Sequence, residues 1–243
     1  KAKNTRRFRN VEMQAYTNVI DTQREMQFSA VTFFPGDGSA VVAFRGTDDT
    51  LVGWKEDLNM CFLPVVPAQE ESVKYLAEVA KAHGGPLICT GHSKGGNLAV
   101  YAAVKANKAT KSRIAAVYNN DGPGFTDALM GDPGYLAMVP KIHTFIPQSS
   151  IIGMLLEHEE PYTVVKSRQL SLLQHEPFSW EVLGGDFIRM EQIDEDSRFL
   201  DRTIKTWLDG QTMAERNEFV DAVYELLSLG QEEDLRRVIL PRN

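Results

Sequence analysis

The chain has 243 residues, of which 43% are hydrophobic and 24% are charged, and its formal net charge is −7. This length and apolar content suit one large α/β domain with a real core. The negative charge argues against a nucleic-acid partner and against an anionic membrane surface. No apolar run reaches the roughly 20 residues that a membrane span needs, so we expect no integral membrane contact.

Two cysteines, Cys61 and Cys89, are too few for a disulfide framework. Together with the lack of a visible signal peptide, this favours a reducing compartment and predicts a cytoplasmic location. No cluster of histidine, cysteine and carboxylate residues has the spacing of metal ligands. We therefore predict no metal and no cofactor.

The first part of the chain predicts the edge of a sheet. Residues 10–21 fit an amphipathic strand or a short helix. Residues 26–34 and 40–44 are rich in β-formers and flank a Pro-Gly-Asp-Gly turn, which predicts a hairpin. Apolar residues at helical spacing over 70–83, followed by Gly-Gly-Pro, predict the helix that precedes the next strand.

Residues 86–104 predict a strand, a very tight turn and a helix. The turn reads Gly91-His92-Ser93-Lys94-Gly95, a Gly-x-Ser-x-Gly pattern. In this context the pattern is typical of a nucleophile elbow, which holds its serine in a strained conformation at the edge of a sheet. Ser93 is therefore the candidate nucleophile, and the Lys94 N–H at the helix start is a candidate oxyanion donor. The alternative is an ordinary glycine-rich turn, while a phosphate-binding loop does not match the spacing.

Three later strands, at 113–118, 141–146 and 162–166, alternate with helical stretches. Such alternation predicts a mostly parallel central sheet with helices on both faces. The ligand site of such a sheet lies at the carboxyl ends of its strands. Residues 191–240 are helical in pattern, with a capping box at Thr212-x-x-Glu215.

Three motifs resemble the class 3 lipases, which have the α/β-hydrolase fold: Phe-Arg-Gly-Thr at 44–47, Trp-x-x-Asp-Leu at 54–58 and Gly-His-Ser-x-Gly-Gly at 91–96. The chain resembles still more closely the Mbeg1-like group of lipase-like bacterial proteins. Two further motifs expected in that group are present, at 119–125 and 174–180. The resemblance covers most of residues 26–182 and implies an α/β-hydrolase fold and ester hydrolysis.

An oxyanion hole needs a second donor, from a loop after a strand beside the elbow strand. Thr47 follows such a strand and offers a backbone N–H and a hydroxyl, and the resemblance implies the same role. The alternative is a plain turn in which Arg45 pairs with Asp57 or Asp49. Both interpretations are compatible, because an ion pair could hold the loop.

The serine needs a base, and in α/β-hydrolases the order along the chain is nucleophile, acid, histidine. Of the five histidines, His83 ends a helix, His92 lies in the elbow pointing away from the nucleophile, and His143 fits a buried strand position. His175 follows the last strand in a loop closed by a proline, and the resemblance also selects it. His158 is the alternative base, and the alternative role for His175 is a loop histidine bound to its neighbour Glu176.

The sequence offers several candidates for the third member of the triad. Class 3 lipases carry an aspartate followed by two apolar residues where this chain has Ser150-Ile151-Ile152. Asp121, after the preceding strand, is the candidate that replaces it; otherwise it caps its own turn. Further alternatives are Glu157, Glu159 and Glu160, or a dyad oriented by a serine hydroxyl or a backbone carbonyl.

We therefore predict one α/β-hydrolase domain over residues 1–243, with a lead-in at 1–25, a hydrolase core at 26–182 and C-terminal helices at 191–240. The predicted activity is that of a serine hydrolase acting on a small-molecule or lipid ester. One rival is a hydrolase-like binding module that has lost activity. The other is a different serine chemistry on the same fold, such as a thioesterase, peptidase or acyltransferase.

Overall fold

The computed structural model describes residues 4–48 and 50–228. Seven strands form one sheet and lie in it in chain order. They are β1 (Glu12–Asp21), β2 (Met26–Phe34), β3 (Ala40–Phe44), β4 (Leu87–His92), β5 (Ile114–Asn120), β6 (Ile142–Pro147) and β7 (Tyr162–Val165). Strands β1 to β3 pair antiparallel, and β3 to β7 pair parallel. The prediction of a mostly parallel central sheet is therefore confirmed.

The crossovers between parallel strands contain the helices. Between β3 and β4 lie α1 (Leu51–Met60) and α2 (Pro67–Ala82), and between β4 and β5 lie α3 (Lys94–Lys105) and α4 (Lys108–Arg113). Helix α5 (Pro133–Met138) precedes β6, and α6 (Glu195–Asp209) and α7 (Met213–Ser228) follow a short hairpin of β8 (Val182–Leu183) and β9 (Asp186–Phe187). Parallel strands require such crossovers, and here they place helices around the sheet.

The main core lies where α2 and α3 pack on the sheet. Residues 94–104 of α3 are all buried, including Leu98 and Val100. Phe28 and Phe44 of the sheet pack edge-on against Tyr75 of α2. This packing gives the start of α3, where the candidate nucleophile lies, a rigid support.

The amino-terminal part of the sheet follows the sequence expectation. Residues 10–21, for which a strand or a helix was possible, form the edge strand β1, with an irregularity between Gln14 and Thr17. The predicted hairpin is confirmed as β2 and β3. Strand β1 lies within the predicted lead-in, so the lead-in contributes one strand to the sheet.

The predicted capping box at the start of α7 is present. The Thr212 N–H donates to Glu215 Oε2 at 2.7 Å, and the Glu215 N–H donates to Thr212 Oγ1 at 3.3 Å. Helix α7 packs against α1, where Lys55 Nζ lies 2.8 Å from Asp221 Oδ1. The end of the predicted helical tail, residues 229–240, lies outside the described residues. Among the helices described, none is long and apolar enough to cross a membrane.

Three candidate site segments follow parallel strands at one edge of the sheet. Thr47 comes after β3, Ser93 after β4 and Asp121 after β5. His175 lies in a 3₁₀ turn, Ser171–His175, that follows β7. The carboxyl ends of parallel strands meet at the same edge, so the fold gathers residues that are up to 128 positions apart in the chain. This arrangement, with a tight turn from β4 into α3, is the α/β-hydrolase fold.

Candidate active site

The turn between β4 and α3 has the geometry of a nucleophile elbow. Ser93 has φ 57° and ψ −134°, a conformation that costs energy for a residue with a side chain. A Cβ placed on Gly91 would lie 2.1 Å from the Gly95 carbonyl, and one on Gly95 would lie 2.2 Å from the Phe44 carbonyl oxygen. Only glycine fits at these two positions, and the tight approach projects Ser93 from the sheet edge.

The loop after β3 runs directly against the elbow. A Cβ on Gly46 would lie 2.8 Å from the His92 carbonyl oxygen and 3.3 Å from Ser93 Cβ. Thr47, the next residue, is therefore held beside the candidate nucleophile. Lys94 is the first residue of α3, so its N–H has no acceptor within its own helix. Both predicted oxyanion donors lie next to Ser93, and their roles stay predictions.

Asp121 and His175 meet directly. His175 Nδ1 lies 2.7 Å from Asp121 Oδ2, although the two residues are 54 positions apart. Asp121 is fully buried and adopts a positive φ of 52° immediately after β5. Because an ionised carboxylate only accepts hydrogen bonds, Nδ1 carries the proton in this pair. Nε2 is then the ring nitrogen available to accept a proton from a nucleophile.

The hydroxyl of Ser150, at the position where the resemblance implied an aspartate, donates to Asp121. Ser150 Oγ lies 2.5 Å from Asp121 Oδ1, and the Gly153 N–H donates to the same oxygen at 3.2 Å. With His175, the Asp121 carboxylate accepts three hydrogen bonds, so its buried oxygens have partners. Neither a simple turn cap nor a dyad without a carboxylate describes this geometry.

The segment that carries His175 is tied down on both sides. The buried Gln174 accepts from the Ser149 N–H at 2.9 Å through its side chain and from Trp180 Nε1 at 2.8 Å through its carbonyl. The alternative partner, Glu176, instead accepts from the Phe178 N–H at 3.3 Å. Residues 174 and 180 therefore fix the backbone of the loop that carries His175 (the histidine loop, residues 168–180) near β6.

His92 contacts His175, which the sequence did not predict. Its Nε2 donates to the His175 carbonyl oxygen at 2.7 Å, and the two rings lie with centroids 4.4 Å apart. Burial lowers the pKa of His92, and the neighbouring His175 lowers it further. A neutral His92 supports the histidine loop without placing a second positive charge beside it.

Among the described residues, no hydrogen bond joins Ser93 to His175. They are linked through His92, which adjoins Ser93 in sequence and contacts His175 in space. The Ser93 N–H also donates to the Asn120 carbonyl at 3.0 Å, one residue before Asp121. In enzymes without a bound substrate, catalytic hydrogen bonds are commonly long and tighten in the complex.

The other histidines have different surroundings. His158, the alternative base, has Nδ1 3.2 Å from Glu160 Oε1 and Nε2 3.0 Å from the Gly153 carbonyl oxygen, so both ring nitrogens are occupied. His143 was expected in the interior, but it is exposed and stacks on Tyr118 with ring centroids 5.2 Å apart. The His158 ring is therefore engaged away from the candidate site, and the His143 ring faces the surface.

The buried Glu160 carboxylate is also fully engaged in hydrogen bonds within the fold. It accepts from Tyr135 Oη at 2.7 Å and from Thr144 Oγ1 at 2.5 Å, in addition to His158. Burial on its own raises the pKa of Glu160, but these hydrogen bonds and the His158 charge lower it overall. Because His158 also contacts the Gly153 carbonyl, this group supports the loop that donates to Asp121.

The aspartate of the Trp-x-x-Asp-Leu motif, Asp57, contacts Thr47. Its hydroxyl donates to Asp57 Oδ2 on α1. Burial raises the pKa of Asp57 to about 6, although the Lys94 charge and the Thr47 hydroxyl act in the opposite direction. Arg45 pairs with Asp48 at 3.0 Å rather than with Asp57, and the other proposed partner, Asp49, lies outside the described residues.

The described ranges contain no group of three or more histidine, cysteine and carboxylate side chains that could hold a metal ion. Cys61 and Cys89 are both free thiols, and burial raises the pKa of Cys89 to about 12. The arrangement at the sheet edge is instead one of a serine, a histidine, a buried carboxylate and two N–H groups.

The profile of the Mbeg1-like family matches residues 2–225. The chain belongs to the Mbeg1-like family. A search of curated proteins found no match for it.

Solved structures similar to this Mbeg1-like chain are lipases. The native Rhizomucor miehei lipase propeptide complex is 15% identical with a TM-score of 0.47, and the similarity covers 66% of this chain and 58% of that one. A triacylglycerol lipase from Penicillium expansum is 12% identical with a TM-score of 0.44, covering 65% of this chain and 70% of that one. The chain thus spans little more than half the length of the Rhizomucor miehei protein.

Proposed function

We propose that this Mbeg1-like protein is a serine hydrolase of the lipase/esterase type. The observation that carries the proposal is the 2.7 Å contact between the Asp121 carboxylate and His175 Nδ1, beside a serine held at positive φ. A carboxylate in this position keeps the imidazole in the tautomer that accepts a proton at Nε2, and it stabilises the imidazolium that forms.

The proposed reaction has two stages. Ser93 Oγ attacks the ester carbonyl carbon while His175 Nε2 takes the hydroxyl proton, and the Lys94 and Thr47 N–H groups stabilise the oxyanion. Collapse of the tetrahedral intermediate expels the alcohol, which receives its proton from His175, and leaves an acyl group on Ser93. A water molecule then attacks the acyl group with His175 again as base, and the carboxylic acid and free serine are released.

The rival hypothesis, a binding module that has lost activity, depended on a missing acid beside the histidine. In the structure a carboxylate lies within hydrogen-bonding distance of His175 and accepts two further hydrogen bonds. A serine strained at the elbow is also costly for a protein that uses it only for binding. Thioesterase, peptidase and acyltransferase chemistry would use the same residues, so the substrate has to separate these classes.

Labelling by a fluorophosphonate probe tests the proposal. We expect mass spectrometry to find wild-type protein modified at Ser93, because the probe reacts with serines activated by a base. His175→Ala should lose most of this labelling. His143→Ala, at an exposed histidine that stacks on Tyr118, is the matched control and should retain it. An unlabelled wild type, or equal loss in both variants, would contradict the assigned base and favour the binding module.

The surface around His175 supports an ester with an apolar acyl chain. Phe178 is 88% exposed and Leu170 is 79% exposed, and both lie in the loop that carries His175. Hydrogen bonds from Arg168 to the carbonyls of Ser179 and Phe178, at 3.0 and 3.2 Å, close the ends of this loop. Large apolar side chains so exposed on one loop are typical of a binding surface.

Shortening these side chains should lower activity selectively. We expect Phe178→Ser with Leu170→Ser to reduce the kcat/KM of a dodecanoyl ester by about 5- to 30-fold, the loss of 1–2 kcal/mol of apolar contact. The butanoyl ester should change less than about 2-fold, since its short chain has little apolar surface to bury against Phe178 and Leu170. Leu136→Ser, at a half-exposed leucine of α5, is the control. Equal losses for both esters would contradict a role in acyl binding.

A further inference from the structure

The side chain of Lys94, whose N–H is a predicted oxyanion donor, is buried inside the protein. It is 1% exposed, which is rare for a lysine. Its ammonium donates to the Gln27 carbonyl at 3.0 Å, to Gln27 Oε1 at 2.7 Å and to Glu56 Oε2 at 3.0 Å. These partners use all three of its protons and fix its position.

Glu56, the partner that balances this charge, is fully buried on α1. It also accepts from the Gln27 N–H at 2.9 Å and from the Ala68 N–H at 2.8 Å. Burying such a pair costs desolvation of both ions, and apolar residues of similar size often stabilise a fold as well or better. A contribution to stability therefore does not explain why this ion pair is buried. Its location beside the candidate oxyanion hole suggests a role in that site.

The neighbour of Glu56 connects the pair to the site. Asp57 accepts the Thr47 hydroxyl through Oδ2, while its Oδ1 is buried without a hydrogen-bond donor in the described part of the chain. The Lys94 ammonium lies 3.8 Å from Oδ1. The side chains of both predicted oxyanion residues, Thr47 and Lys94, thus converge on one carboxylate.

The charge state of Asp57 decides how Thr47 is held. Ionised, Asp57 only accepts, so the Thr47 hydroxyl must donate to it and keeps a single orientation. Protonated, Asp57 can donate instead, and the hydroxyl no longer has a fixed role. Burial raises the pKa of Asp57 to about 6 despite the opposing effect of Lys94, so loss of the ammonium would raise it further.

We propose that the Lys94 side chain is a positioning residue for the oxyanion hole: its buried ammonium keeps Asp57 ionised, and ionised Asp57 holds Thr47 beside Ser93. This inference rests on the proposed function, because it assigns a role in the same site. The groups that face Asp57 are Glu56 of α1, Cys61 immediately after α1, Lys94 of α3, Thr47 of the loop after β3 and His175 of the loop after β7.

The test compares two variants that differ only in the ammonium. Glu56→Gln keeps Lys94 and removes its main counterion, and Glu56→Gln with Lys94→Met removes the ammonium without leaving an unpaired buried carboxylate at position 56. The kcat/KM of a short p-nitrophenyl ester is measured from pH 5 to pH 9 in both. We expect the acid limb of the double variant to lie about 1–3 pH units higher, the effect of losing an opposite charge within 4–6 Å.

The direction of the pH shift distinguishes a positioning role for Lys94 from a packing role. Removing a positive charge raises the pKa of Asp57, so activity is lost at low pH and recovers at pH 9, where Asp57 is ionised again. A purely structural role for Lys94 would lower activity by the same factor at every pH, and this result would overturn the proposal. Thermal unfolding of both variants identifies any general loss of the fold.

A second readout does not depend on activity. Titration of ¹³C-labelled aspartate carboxyls by NMR, with the Asp57 signal assigned through Asp57→Asn, reports the ionisation of Asp57 directly. We expect its midpoint to be higher in the double variant than in Glu56→Gln. An equal midpoint in the two proteins would overturn the role of Lys94 even if the ester is hydrolysed. Wild type that hydrolyses no ester would contradict the proposed function while this titration still decides the link between Lys94 and Asp57.

Discussion

Ser93→Ala is expected to reduce the turnover of a p-nitrophenyl ester by roughly 10⁵-fold or more, because the acyl-enzyme can no longer form. The residual rate would come from the oxyanion hole and substrate binding alone. Alanine removes one oxygen and keeps the Cβ, so the strained backbone at φ 57° is no worse than in the wild type. The kcat of each purified variant is compared at pH 8.

The matched control for this substitution is Ser149→Ala. Ser149 is also a serine at the carboxyl end of a parallel strand, but its hydroxyl contacts Asp194 at 2.5 Å instead of the candidate site. Its loss should leave kcat within about 3-fold of the wild type. Residual activity above about 1% in Ser93→Ala would show that another group is the nucleophile and would contradict the proposed mechanism.

Asp121→Asn is expected to lower kcat by about 10³- to 10⁴-fold with little change in KM. The amide can donate to His175 Nδ1, which favours the tautomer with its proton on Nε2, and that tautomer cannot accept the Ser93 proton. The φ of 52° at this position suits asparagine, which adopts positive φ more readily than most residues. The fold should therefore persist, as circular dichroism would check.

Ser150→Ala tests whether the Ser150 hydroxyl or the Asp121 carboxylate orients His175. It removes the 2.5 Å hydrogen bond to Asp121 Oδ1 but leaves the carboxylate and its contact with His175. We expect kcat to fall by about 10- to 150-fold, which corresponds to the roughly 1.5–3 kcal/mol of one hydrogen bond to a charged group. If Ser150→Ala were as damaging as Asp121→Asn, the serine hydroxyl rather than the carboxylate would be the group that orients the histidine.

The elbow could be predicted because it is local. Gly91, Ser93 and Gly95 lie within five residues, and the steric demands of a tight strand-to-helix turn allow little besides glycine at the flanking positions. The hairpin of β2 and β3 and the capping box at Thr212 were predictable for the same reason. Each depends on contacts between residues close together in the sequence.

The identity of the acid could not be settled in this way. The ends of β5 and β6 are adjacent in the sheet, and the Asp121 N–H donates to the Phe145 carbonyl at 2.7 Å. Neighbouring strands are only about 4.8 Å apart, so a carboxylate at either strand end can reach the same imidazole. The aspartate expected at position 150 and the one present at 121 are therefore two solutions to one geometry, and only the three-dimensional arrangement shows which residue contacts His175.

The sequence by itself determined the α/β class, the strand that each loop with a candidate residue follows, and the strained serine, because periodicity and turn sterics act over short distances. The tertiary structure decided which distant residues the elbow contacts: His92 contacts His175, and Lys94 is buried against Glu56, 38 residues away. A lysine in a turn motif has no sequence signal for burial, since the free energy of a buried charge depends on partners brought together by folding.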